Sequence, residues 1–68
     1  MRQVIESHEC SNVTVEVETE KALLVIFEDG TEKWVPKSVI LEGSEVTAEG
    51  DEGTLRVKRW FAEKEELP

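Results

Sequence analysis

Asp29-Gly30 stands between two stretches that both read as strands, and this pair constrains the chain more than any other feature. Tight hairpin turns that match strand twist need positive φ, which Gly adopts without a Cβ clash. The stretch before it, ALLVIF from Ala22 to Phe27, is a continuous apolar run bounded by charges. It is too short for a typical helix and reads as a central strand covered on both faces. Glu32 to Val35 should then fold back on it. A two-residue turn pairs Glu28 with Thr31 and therefore Val25 with Trp34, setting the indole on an apolar face; a three-residue loop shifts the register by one.

Upstream, NVTVEVET (Asn12 to Thr19) alternates Val13, Val15 and Val17 with Thr14, Glu16 and Glu18, the period of a half-buried strand. Glu20-Lys21 is the turn into the next strand. Downstream, Pro36 lacks an N–H and disfavours helix in the residue before it, so the strand stops at Val35 or leaves the sheet there. Lys37 to Leu41 is then a helical turn or corner that brings Val39 and Ile40 back to the core. SEVTA, Ser44 to Ala48, offers a short strand around Val46, and EGDEG is a turn. TLRVKRW follows as a strand with Leu55 and Val57 on one side and Arg56 and Lys58 on the other. The tail from Trp60 changes to good helix formers.

This pattern predicts an all-β fold: a small five-stranded SH3-like or OB-like barrel with a mid-chain 3-10 turn and a short C-terminal helical turn. The 68 residues form one domain, with 1–11 and 65–68 expected to fray. A chain this short has room for one thin core.

Sixteen acidic against eight basic residues give a net charge of -8, which argues against generic binding to duplex DNA or anionic membrane. No apolar run has the length of a membrane span, and MRQVIESHEC has no signal-peptide core. A cytoplasmic location is expected. Cys10 is the only cysteine, so no internal disulfide forms, as befits a reducing compartment. The glycosylation-like Asn12-Val13-Thr14 carries no weight without a secretory signal.

His8 and Cys10 are too few to build a structural or catalytic zinc site, and no cofactor is expected. The sole His leaves Cys10 and the serines without an evident activating base. The many carboxylates pair by chance, so an enzyme is not expected. Glu42, Glu45, Glu49, Asp51 and Glu52 do not follow a calcium-loop spacing. They form either a solvated turn or an imitation of a phosphate backbone that inhibits a host DNA-binding protein.

The cations are less evenly spread. Lys33 and Lys37 flank Trp34, while Arg56, Lys58 and Arg59 precede Trp60. If Arg56, Lys58 and Trp60 share a strand they share a face, a ring beside cations of the kind that binds single-stranded nucleic acid. The competing reading makes both tryptophans core or rim residues.

Trp34-Val35-Pro36-Lys37-Ser38-Val39-Ile40 resembles the W-[FIL]-P-x-N-Y-[VI] segment of SH3 domains, where a strand ends at the proline and a 3-10 turn follows. Val39 replaces the tyrosine and Ser38 the asparagine, so the polyproline groove is not implied, and too long a segment follows Ile40 for that family's order. Together, WVPKSVI and WFAEK (Trp60 to Lys64) resemble small uncharacterised proteins of phages, prophages and bacteria. That resemblance implies a viral or mobile-element accessory protein and no mechanism.

The expected function is a non-enzymatic protein-interaction module whose binding face comprises Trp34, Lys37, Arg56, Lys58 and Trp60. The expected partner is another protein; single-stranded nucleic acid and the acidic mimic are the alternatives, and a thin core is compatible with a homodimer.

Overall fold

In the computed structural model, which describes residues 6–68, β1 (Ser7–Glu18) is the strand on which the others are built. Its C-terminal half pairs with β2 (Ala22–Ile26) and its N-terminal half with β4 (Glu52–Lys58). β3 (Glu32–Pro36) pairs with β2, giving one open, four-stranded antiparallel sheet in the order β3-β2-β1-β4. A 3-10 turn (Lys37–Val39) follows β3, and the helix α1 (Arg59–Glu65) follows β4.

Two bulges let β1 serve both neighbours. The first lies between Cys10 and Val13, where Asn12 has φ 59°, a left-handed conformation that asparagine tolerates. With the extra residue there, Cys10 and Val13 both point into the core. The second lies between Val15, opposite Val25, and Val17, opposite Leu24. Glu16 is the inserted residue, so Val17 is turned to the outer face of the sheet while Val13 and Val15 stay buried. The simple alternation expected over Asn12 to Thr19 therefore breaks at Glu16. At its other end the strand begins well before Asn12, because Ser7 to Cys10 pair with Lys58 to Leu55. Of the segment 1–11 expected to fray, residues 1–5 lie outside the described residues.

The β2–β3 hairpin closes through the three-residue loop Glu28–Gly30. Phe27 N donates to Thr31 O at 2.7 Å, Gly30 N donates to Phe27 O at 2.8 Å, and Gly30 has φ 91°. The Asp29 carboxylate accepts from Thr31 N at 2.9 Å and holds the turn. The register is consequently Leu24 with Trp34 and Val25 with Lys33. This corrects the expected pairing of Val25 with Trp34: an added loop residue moves every β3 side chain to the opposite face. β2 is also not covered equally on both faces, since Leu23 and Val25 are buried and Ala22, Leu24 and Ile26 only half-buried.

β3 runs one residue past the expected stop at Val35, to Pro36 opposite Ala22, and the 3-10 turn that follows buries Val39. The chain then runs back beside β4 through a single Ile40–Val57 bridge. Bonds from Leu41 N to Arg56 O (2.9 Å) and from Glu45 N to Thr54 O (2.8 Å) continue the contact. No strand forms at Ser44–Ala48, although Val46 is fully buried. The Asp51 carboxylate accepts from the N–H groups of Thr47 and Ala48 at 2.9 and 3.0 Å, which removes both donors from any ladder. The expected five-stranded barrel is thus replaced by an open four-stranded sheet.

β4 buries Leu55 and Val57, and the chain turns helical directly after Lys58. Trp60 is therefore in the first turn of α1 and not in a strand with Arg56 and Lys58. α1 buries Phe61 and Ala62. It ends at Glu66, whose φ of 55° and N–H bonds to Ala62 and Glu63 oxygens make a left-handed cap. Leu67 N then donates to Ala62 O, and its side chain packs on the core, so the tail is tied down as far as Leu67. The core joins both ends of the chain: Cys10, Val13 and Val15 from β1 meet Leu55, Val57 and Phe61. Among the described residues, no helix is long and apolar enough to cross a membrane.

Candidate functional site

The outer face of the sheet carries a cross-strand apolar row. Val17 on β1 stands opposite Leu24 on β2, which stands opposite Trp34 on β3. Trp34 is 51% exposed and Val17 36%, in a chain whose other valines among the described residues are all buried. The row exists because the Glu16 bulge and the three-residue loop each displace one strand by one residue. Either change alone would leave the row broken.

Lys37 lies at the end of this row. Its ammonium donates to the Glu18 carboxylate at 2.7 Å, tying the 3-10 turn to the end of β1. That bond holds the Glu18 carboxyl below its ordinary range, with a smaller contribution from the N–H of Glu49. Lys33, on the opposite face, reaches Glu65 of α1 at 4.0 Å.

Arg56 and Lys58 sit on β4, at the other edge of the sheet from β3. Arg56 stands opposite Glu9 on β1, far along that strand from Val17. Its guanidinium donates to Glu42 O at 2.9 Å and lies 3.7 Å from the Glu9 carboxylate, stapling the returning segment to β4. Lys58 makes no ion pair among the described residues. Trp60 is 56% exposed and packs edge-to-face on Phe61, with ring centroids 6.0 Å apart. The five expected site residues thus fall into two groups: Trp34 with Lys37, and Arg56 with Lys58 and the helical Trp60.

Sequence reasoning missed Val17 and Leu24. Alternation assigns Val17 to the core, and only the bulge, which leaves no simple mark in NVTVEVET, turns it outward.

The acidic stretch works largely for its own backbone. Glu45 accepts from Thr54 N at 2.8 Å, Glu49 from Glu18 N at 3.1 Å, and Asp51 from Thr47 and Ala48. These N–H bonds hold the Asp51 carboxyl below its ordinary range. At the opposite end, Cys10 Sγ donates to Pro68 O at 3.4 Å, and His8 Nε2 lies 2.9 Å from the same oxygen. Burial pushes the Cys10 thiol upward, which disfavours the nucleophilic thiolate. Among the described residues, no group of three or more His, Cys, Asp or Glu is placed to hold a metal.

Compared with protein-family models, curated proteins and solved structures, the chain matches none of them.

Proposed function

We propose that the chain is a non-enzymatic protein-interaction module whose contact surface is centred on Trp34, with Val17, Leu24 and Lys37 around it. The observation that carries this reading is the outward turn of Val17 into line with Leu24 and a half-exposed Trp34. A thin core gains stability by burying such side chains, so an apolar row left on the open face is better explained by a partner. Tryptophan is also a residue in which binding energy concentrates.

Arg56, Lys58 and Trp60 form a second candidate contact at the other edge of the sheet. A cytoplasmic accessory protein of a phage or mobile element is the context suggested by the WVPKSVI and WFAEK segments. The nucleic-acid reading has less support, because Lys37 and Arg56 are already matched with Glu18 and Glu9. The mimic reading is weakened in the same way by the carboxylates that bond to backbone N–H groups.

Affinity capture from host lysate, treated with nuclease, tests the proposal with Ala variants at Val17, Trp34, Lys37, Arg56, Lys58 and Trp60. A specific protein lost with Trp34→Ala and Val17→Ala is expected. Equal recovery by every variant overturns the module reading, and recovery that depends on nucleic acid overturns it in favour of the alternative.

A further inference from the structure

Resting on that reading, we propose that the partner segment is an extended, lysine- or arginine-bearing peptide that adds as a new strand to the free edge of β3. β3 pairs on one side only. The bond from Phe27 N to Thr31 O fixes which residues face that free side. Bonded pairs alternate along an antiparallel ladder, so Val25–Lys33 and Leu23–Val35 exchange hydrogen bonds with β2. The bond from Lys37 N to Lys21 O continues the same phase. Glu32 and Trp34 therefore direct their N–H and C=O groups away from β2. No backbone hydrogen bond occupies them among the described residues. Such an edge is a template for an incoming strand.

A second copy of β3 is the poorer occupant. One antiparallel self-pairing that uses both free N–H groups sets Glu32 opposite the second copy's Trp34, and so brings Lys33 directly against its own counterpart. The next register sets Trp34 against its counterpart and Glu32 opposite Pro36, whose ring has no N–H to give, so the Glu32 carbonyl stays unpaired. Two chains of net charge -8 also repel.

A cationic segment meets neither obstacle. Glu32 stands on this edge and the Asp29 carboxylate caps the turn beside it, while Lys33 and Lys37 are matched by Glu65 and Glu18. A lysine or arginine paired with Trp34 in the new ladder lies across a half-exposed indole, where ring and cation attract. Leu24, one strand further in, continues the apolar surface beyond the indole.

The test uses the full chain carrying Trp60→Phe, so that Trp34 alone reports. The probes are a short alternating lysine–valine peptide, its glutamate–valine counterpart, and the lysine peptide N-methylated at the positions that face β3. The lysine peptide is expected to change Trp34 emission and to shift and protect the amide protons of Glu32 and Trp34. Binding is expected to fall about tenfold on Trp34→Ala or on N-methylation, and to be absent for the glutamate peptide. No binding by the lysine peptide overturns the inference, as does equal binding of its N-methylated form. Concentration-dependent protection of the same amides without peptide overturns it in favour of self-pairing. Loss of a captured protein on Trp34→Ala with unperturbed β3 amides in its complex refutes strand addition and leaves the module reading standing.

Discussion

Trp34 stands opposite Leu24 across the β2–β3 hairpin, one residue out of phase with the buried Val25. That single step puts the indole on the surface, and the helical start at Arg59 leaves Trp60 there too. Single-tryptophan variants made with Trp34→Phe or Trp60→Phe should both emit near the wavelength of solvated indole. Acrylamide should quench them readily, and unfolding should shift them little. A strongly blue-shifted, shielded Trp34 would return the hairpin to the two-residue register.

Gly30 makes that register. Its φ of 91° lies where a side chain is strained, although a Cβ there would meet nothing within 4 Å. Gly30→Ala should therefore cost about 1 kcal/mol through backbone conformation alone, and Gly30→Asn less. Urea midpoints check this. Unchanged stability in the alanine variant would contradict the left-handed conformation at Gly30.

Much of this fold was legible in short stretches. ALLVIF, the Asp29-Gly30 turn, the stop at Pro36 and the strand through Leu55 and Val57 follow from local chemistry, because each depends on residues close in sequence. What was not legible depended on a count of one residue. Loop length decided between Val25 and Leu24 as the neighbour of Trp34, and the Glu16 bulge decided the face of Val17. With a period of two, either change inverts a whole strand. The missing strand at Val46 has another cause: a side chain, Asp51, takes backbone donors that a ladder would have used. The candidate site suffered most, since it was assembled from residues whose faces turned on these counts.

Acid should destabilise the fold through its turn carboxylates. Thr47 and Ala48 N–H groups hold Asp51 below its ordinary value, the N–H of Thr31 does so for Asp29, and Lys37 does so for Glu18. In each case the unfolded chain takes up the proton first as pH falls, so stability rises with pH through this range. The contribution is complete above the ordinary carboxylate range, about pH 4, and is lost as pH falls through the lower folded values. Asp51→Ala should lower stability at neutral pH and make the acid loss shallower. Parallel pH profiles of the urea midpoint for wild type and variant would refute the role of Asp51.

Val15 and Val17 provide the sharpest separation of core from contact surface. Strict alternation makes them equivalent, whereas the bulge buries Val15 to 1% exposure and leaves Val17 at 36%. Val15→Ala removes two buried carbon groups and should cost about 2 kcal/mol, a large fraction of the stability of so small a chain. Val17→Ala should change stability by about 0.5 kcal/mol or less. If Val17 is retained for a partner, its truncation weakens capture while the urea midpoint stays near that of wild type. Val15→Ala should instead lower the midpoint and leave capture intact wherever the chain remains folded. Equal stability losses in the two variants would place Val17 in the core and remove the row on which the contact surface rests.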